Sequence, residues 1–130
     1  MMSATLQRIL YVEDDVDIRT VSKLALEAVG GFEVEVAASG EEALVRVREF
    51  VPDLLLLDVM MPGMDGPTTL RALRTLPDTE AVPAIFMTAR ALPGEILALK
   101  AEGAVGVITK PFDPMTLADQ LRALWETQDV

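Results

Sequence analysis

Leu54-Leu55-Leu56-Leu57 is a run of four leucines, and the residue that follows it is Asp58. A run of this length is typical of a β-strand, and its unbroken apolarity indicates burial on both faces. Such strands are characteristic of a parallel sheet that helices cover on both sides. Similar short apolar runs occur at residues 9–12, 84–87 and 105–108. The sequence therefore predicts a buried parallel sheet.

A fifth candidate strand, Glu33-Val34-Glu35-Val36, alternates charged and apolar residues. One face of such a strand meets water, so we expect it at an edge of the sheet.

Apolar residues recur at helical spacing between the candidate strands. Five stripes result: Ile18, Val21, Ala25 and Ala28; Ala43, Leu44, Val47 and Phe50; Leu70 and Leu73; Ile96 and Leu99; Leu117, Leu121 and Leu124. Three sets of residues are typical of a helix start: Ser39 with Glu42, Asp65 alone, and Asp113 with Pro114.

Strict alternation of five strands and five helices predicts an α/β, doubly wound three-layer sandwich with a five-stranded parallel sheet. An edge position for the second strand suits the flavodoxin-like order 2-1-3-4-5. The length of 130 residues predicts one domain. We expect it to span residues 7–126, with flexible tails at 1–6 and 127–130.

Composition excludes several classes of function. The chain has no cysteine and no histidine, which rules out disulfides, thiol nucleophiles, serine–histidine triads and a phosphohistidine carrier. A net charge of −10 argues against a nucleic-acid partner. No apolar run is long enough to span a bilayer, so we expect no membrane partner and a cytoplasmic location.

Charged and polar residues follow the candidate strands where those strands end: Glu13-Asp14-Asp15, Asp58, Thr88 and Thr109-Lys110-Pro111. The carboxyl ends of parallel strands form one rim, so these groups should converge. Two carboxylates about 5 Å apart repel by roughly 3 kcal/mol at an effective dielectric near 20. Oxygen ligands without histidine or cysteine suit Mg²⁺, with Mn²⁺ as a second choice. A divalent ion, a reactive carboxylate and a lysine together indicate phosphoryl transfer.

Each feature alone has a simpler explanation. The acidic triplet could be a helix N-cap, Asp58 a strand terminator, and Lys110 a surface charge. Thr88 could reflect ordinary strand propensity. Their joint placement favours function.

Four segments resemble the signature blocks of bacterial response-regulator receiver domains, including the single-domain chemotaxis-regulator type. The segments are Ile9–Asp15, Leu57–Gly66, Met87-Thr88-Ala89 and Thr109–Phe112. The resemblance extends from about Gln7 to about Trp125.

The resemblance implies that Asp58 accepts a phosphoryl group from a phosphohistidine on a sensor histidine kinase or histidine phosphotransfer protein. It implies Mg²⁺ ligands from Glu13, Asp14 and Asp58 and from the backbone carbonyl of Met60.

It further implies that Lys110 contacts the phosphoryl group and that Thr88 is a switch hydroxyl. Ala89 would be a small residue required beside the site, and the Lys110–Pro111 bond would be cis. Gly66 resembles a turn glycine that lets the loop after the third strand close over the site.

The sequence departs from the family pattern at Val107, where most receivers carry an aromatic residue that swings inward on activation. That hydroxyl-to-aromatic coupling cannot operate here. Met60 and Arg90 flank the expected phosphoryl position. We expect changes at these two residues to alter dephosphorylation more than phosphorylation.

The leading hypothesis is a stand-alone signalling domain without an output domain, which acts on a downstream protein target as a monomer or a phosphorylation-dependent dimer. It would catalyse its own phosphorylation and dephosphorylation and no other reaction.

One alternative is a phosphorylation-independent scaffold, motivated by Val107. Another is a Mg²⁺-dependent aspartyl-phosphate phosphatase of the haloacid dehalogenase type, although Met60 stands where that family has a second aspartate. A flavin-binding protein is disfavoured because strand 1 leads into no phosphate cradle.

Overall fold

The computed structural model describes residues 5–90 and 92–127, and these fold into five strands that alternate with helices. The strands are β1 (Arg8–Val12), β2 (Glu33–Ala37), β3 (Leu54–Asp58), β4 (Ala84–Thr88) and β5 (Gly106–Thr109). The helices are α1 (Val16–Leu24), α2 (Gly40–Arg46), α3 (Gly66–Leu73), α4 (Pro93–Ala101) and α5 (Leu117–Thr127). A π-helical turn, Ala25–Val29, continues α1.

All neighbouring strands are parallel, and their order is β2-β1-β3-β4-β5. This confirms the predicted sheet and the edge position of β2. Val12 at the end of β1 pairs with Leu57, and Asp58 at the end of β3 pairs with Met87. The carboxyl ends of β1, β3 and β4 therefore lie side by side.

The core has two layers, one on each face of the sheet. Ile9 of β1 packs in the layer that contains Leu121 of α5. The next residue, Leu10, packs in the opposite layer with Leu70 of α3. This alternation explains why the central strands are apolar at every position: each side chain meets a helical layer.

The stripe predicted for α1 is partly wrong. Val21 is 49% exposed, while Ser22 and Leu26 are fully buried. The Ser22 hydroxyl accepts a hydrogen bond from the buried Tyr11 hydroxyl at 3.0 Å and donates one to the Ile18 carbonyl at 2.7 Å. A polar residue with both bonds satisfied can be buried, and apolar spacing alone does not predict this.

Two of the predicted helix starts are confirmed. The Ser39 hydroxyl accepts from the Glu42 N–H at 3.1 Å, and the Asp65 carboxylate accepts from the Thr68 N–H at 2.8 Å. The third start lies later than predicted. Asp113 caps a turn through the Met115 N–H, and α5 begins only at Leu117.

The predicted tails lie mostly outside the described residues, which omit 1–4 and 128–130. Leu6 is buried in the core, and Thr127 is the last residue of α5. Among the residues with described structure, no helix combines the length and the apolarity needed to cross a bilayer.

Candidate functional site

Three carboxylates meet where β1 and β3 end. Glu13 and Asp14 follow β1, and Asp58 ends β3. One oxygen from each of the three lies within 4.8 Å of the others. Glu13 is 1% exposed and Asp58 is 4% exposed, whereas Asp14 faces solvent. The predicted acidic cluster is therefore present, and two of its members are removed from water.

Lys110, which follows β5, supplies a positive charge to this cluster. Its Nζ donates to Glu13 Oε1 at 2.6 Å and to Asp58 Oδ1 at 2.8 Å. Burial alone would lower the pKa of Lys110, but the hydrogen bonds and charges of the two carboxylates outweigh it and raise that pKa. The lysine is thus held as an ammonium that bridges β1 and β3.

One ammonium does not fully balance the buried carboxylates. Burial raises the pKa of Asp58 from 3.8 to about 6, and repulsion from Glu13 adds to this rise. The hydrogen bond from Lys110 opposes it without cancelling it. The ionised Asp58 is therefore a group that further positive charge would stabilise.

The acidic triplet after β1 divides into two roles. Asp15 caps α1, because its carboxylate accepts from the N–H groups of Asp17 and Ile18 at 2.9 and 3.0 Å. Glu13 and Asp14 instead face the site. The N-cap interpretation thus holds for one of the three residues.

Two supporting residues were missed by the sequence reasoning. The Tyr11 hydroxyl lies 3.4 Å from Glu13 Oε1, and Arg19 donates to the Glu13 backbone carbonyl at 2.8 Å. For Tyr11, the available signal was a tyrosine within the otherwise aliphatic run at residues 9–12. The second depends on how α1 lies against the loop after β1, which the spacing does not show.

Thr88 and Ala89 lie at the end of β4. Thr88 is buried, and its hydroxyl accepts from the Arg90 N–H at 3.1 Å. Ala89 lines a hollow of about 500 Å³ together with Lys110. A second hollow of about 290 Å³ is lined by Val59, Met60, Thr88, Arg90, Glu95, Ala98 and Leu99.

Gly66 begins α3 directly behind the acidic cluster. A Cβ at this position would lie 2.5 Å from the backbone oxygen of Asp58, a distance that side chains do not tolerate. The Gly66 N–H donates to the Val59 carbonyl at 2.9 Å. Glycine is therefore needed for α3 to approach β3 this closely.

Three further positions were singled out from the sequence: the Lys110–Pro111 bond, Met60 and Val107. The Lys110–Pro111 bond is cis. Met60 projects its side chain into solvent, with 72% of the residue exposed. Val107 is half-buried and packs against the core layer that contains Phe86.

The donor set suits a hard divalent cation. Its side-chain ligands are carboxylate oxygens, and the chain has no histidine or cysteine to attract softer metals. Two of the three carboxylates are buried with a single ammonium between them. These residues fit Mg²⁺.

The response regulator receiver domain family has a model that matches residues 9–122 of the chain. Among curated relatives, the phosphate regulon transcriptional regulatory protein PhoB of Rhizobium meliloti is 40% identical over 119 residues, which cover 92% of this chain and 52% of the relative. The DNA-binding response regulator MtrA of Mycobacterium bovis is 37% identical over 128 residues, which cover 98% of this chain and 54% of the relative. The chain thus spans about half the length of the curated relatives it matches.

Solved structures show the same architecture over almost their whole length. The chemotaxis protein CheY4 of Vibrio cholerae superposes with a TM-score of 0.85 at 33% identity, covering 92% of this chain and 99% of that chain. A CheY-like receiver domain protein of Methanospirillum hungatei gives a TM-score of 0.81 at 30% identity, covering 96% and 98%.

Proposed function

Because the chain belongs to the response regulator receiver domain family, we propose that Asp58 is the residue that becomes phosphorylated. Members of this family are phosphorylation-activated signalling domains of two-component systems, and response regulators receive phosphate from sensor kinases. The observation that carries the residue assignment is the placement of Asp58. It ends β3 beside Lys110 and lies within 4.8 Å of Glu13 and Asp14.

Glu13, Asp14 and Asp58 would hold Mg²⁺ through their carboxylates, and the backbone carbonyl of Met60 would complete the protein ligands. Mn²⁺ has the same preference for oxygen and is the second candidate. The bound ion supplies positive charge that neutralises the phosphoryl oxygens.

Asp58 acts as the nucleophile in this proposal. One carboxylate oxygen attacks phosphorus in line, a new O–P bond forms, and the P–N bond of the donor phosphohistidine breaks. The leaving imidazole nitrogen retains the bonding electron pair and takes up a proton from solvent, which gives neutral imidazole on the donor. The chain positions the carboxylate and screens its charge, and it needs no acid or base of its own.

Lys110 and Thr88 would then bind the phosphoryl oxygens. Lys110 already donates to the Asp58 carboxylate, so a small shift of its ammonium reaches a group attached there. For Thr88, the hydroxyl would exchange its bond with the Arg90 N–H for one to the phosphoryl group. Ala89 leaves space beside the site. A change at Thr88 can bias a two-state arrangement of the loop that follows it.

The partners follow from this chemistry. The phosphoryl donor would be a sensor histidine kinase or a histidine phosphotransfer protein, and the chain would meet this donor in the cytoplasm, where ATP is available to the kinase. The acidic surface, with a net charge of −10, supports a protein target for these residues rather than nucleic acid. The chain would act as a monomer or as a phosphorylation-dependent dimer.

Val107 favours a second candidate, a receiver-like scaffold that works without phosphorylation. The half-buried valine lacks the ring that most receivers move on activation. The paired carboxylates and Lys110 would then be a structural remnant.

Phosphorylation by a small acyl phosphate with Mg²⁺ separates the two candidates. Intact mass spectrometry should show one phosphoryl adduct in the wild type and none in Asp58→Asn. Asp78→Asn, which changes an exposed aspartate between α3 and β4 that is not part of the acidic cluster, is the matched control and should retain the adduct. A wild type that remains unmodified would overturn the proposal and favour the scaffold.

A further inference from the structure

We propose that the ion pair between Arg90 and Glu95 couples phosphorylation of Asp58 to α4, with Glu95 as a positioning residue that holds Arg90 away from the phosphoryl group. The inference rests on the proposed function and adds a route by which the signal leaves the site. It assigns roles to two residues that form neither the acidic cluster nor its lysine contact.

Arg90 makes one polar contact through its backbone and another through its side chain. Its backbone N–H donates to the hydroxyl of Thr88 at 3.1 Å. Its guanidinium Nη2 lies 3.0 Å from Glu95 Oε1, and Glu95 lies in the first turn of α4. A single residue therefore connects the switch hydroxyl to the start of the helix.

The guanidinium has space to move toward the phosphoryl position. Arg90 and Glu95 line the 290 Å³ hollow together with Thr88 and Met60, which flank Asp58 from β4 and from the loop after β3. Among the described residues that line this hollow, Arg90 alone is cationic. Its side chain is 69% exposed, and its ion pair with Glu95 is a contact that solvent can reach.

Phosphorylation changes the competition for this guanidinium. A phosphoryl group carries about two negative charges near neutral pH, against one on the Asp58 carboxylate that it modifies. Phosphoryl oxygens can also bind the planar fork of an arginine in a bidentate way, whereas the pair with Glu95 is a single contact from Nη2 to Oε1. Glu95 contributes one charge at a partly exposed position. The phosphoryl group therefore draws Arg90 away from Glu95.

The loss of this ion pair frees the start of α4. The N-cap residue of α4, Leu92, offers no side-chain cap, and among the described residues of this helix Leu99 alone is buried. The first turn is held by bonds from the Glu95 and Ile96 N–H groups to the Leu92 carbonyl, at 2.9 and 3.0 Å. Since Val107 cannot provide the aromatic movement, the ion pair offers a different connection to the same helix.

Thermodynamic reciprocity gives a direct test. If a phosphoryl group weakens the ion pair, then removal of Glu95 must strengthen binding of a phosphoryl group. Beryllium fluoride, a non-covalent phosphoryl mimic, is titrated with Mg²⁺ present and the heat is measured. We expect Glu95→Gln to bind it about twofold to fivefold more tightly, the range typical of one exposed ion pair.

Two further variants separate positioning from general charge. Glu95→Gln should have no effect on affinity in an Arg90→Ala background, because the gain acts through the arginine. Glu102→Gln is the matched control: Glu102 pairs with Arg71 of α3 at 2.6 Å and tethers the opposite end of α4. It should bind the mimic like the wild type. A gain that persists without Arg90, or that Glu102→Gln reproduces, would overturn the positioning role.

Hydrogen exchange tests the coupling to the helix. In the wild type, the mimic should accelerate hydrogen exchange of the Glu95 and Ile96 amides. In Glu95→Gln, the amides of residues 95 and 96 should already exchange fast when no mimic is present. Unchanged exchange in the wild type would overturn the coupling. These outcomes are distinct from failure of the proposed function, which would appear as a wild type without any acyl-phosphate adduct at Asp58.

Discussion

Asp58 combines two properties at the level of a single residue: burial disfavours its charge, and Lys110 favours it. Because its pKa rises from 3.8 to about 6 on folding, the folded chain binds more protons than the unfolded chain between these values. The contribution of Asp58 to stability is therefore greatest below pH 3.8 and is lost as the pH rises through about 6.

We expect the free energy of unfolding of the metal-free protein to reflect this loss between pH 4 and 7. Urea unfolding in the presence of a chelator measures it. Asp58→Asn removes the titrating group, so its stability should fall less with pH, or not at all, over the same range. Identical pH slopes for the two proteins would contradict the assigned ionisation.

Met60 and Arg90 line the same hollow as Thr88, beside the expected phosphoryl position, and we expect them to slow the approach of the hydrolytic water. Met60→Ala and Arg90→Ala should each shorten the half-life of the phosphorylated protein several-fold, while the initial rate of phosphorylation changes less. Intact mass spectrometry after removal of the donor measures the decay. Half-lives equal to that of the wild type would rule out this role.

At the level of helices and strands, the approach of α3 to β3 depends on Gly66. A Cβ there would meet the Asp58 backbone, so Gly66→Ala should destabilise the fold by about 1–3 kcal/mol and weaken Mg²⁺ binding. Gly94→Ala is the matched control, since Gly94 also lies in the first turn of a helix but none of the described residues comes within 4 Å of its Cβ position. It should stabilise the fold by about 0.5–1 kcal/mol. Urea unfolding of both variants measures the difference, and equal effects would contradict the close-approach argument.

The strands were predictable because β1, β3 and β4 are buried on both faces and are therefore apolar at nearly every position. The inward face of α1 was not predictable in the same way. A buried serine, Ser22, which accepts a hydrogen bond from Tyr11, lies where an apolar residue was expected. The start of α5 was predicted too early because Asp113 caps a turn and not the helix itself.

The candidate site was predictable where it follows from strand ends. Glu13, Asp14 and Asp58 could be placed together because parallel strands finish at one rim. Two contacts could not be predicted from the sequence: the hydrogen bond from Lys110 to Glu13 and the ion pair of Arg90 with Glu95. Both depend on side-chain conformations across loops. Spacing along the chain contains no information about such contacts.

For the molecule as a whole, metal binding should be linked to folding. A ligand that binds only the folded state stabilises it by about 2.7 kcal/mol when its concentration is 100 times its dissociation constant. Mg²⁺ should therefore raise the melting temperature of the wild type measured by circular dichroism. Asp14→Asn should reduce this rise, and Asp78→Asn should preserve it. A rise of the same size in all three proteins would indicate a non-specific salt effect.

The central claim is that Asp58 is the phosphorylated residue, and reductive trapping tests it most directly. Borohydride reduces an aspartyl phosphate to homoserine, which marks the modified position permanently. After treatment with an acyl phosphate and Mg²⁺, peptide mass spectrometry should find homoserine at position 58 and nowhere else. Homoserine at a different aspartate, or none in a protein that carries the phosphoryl adduct, would contradict the account.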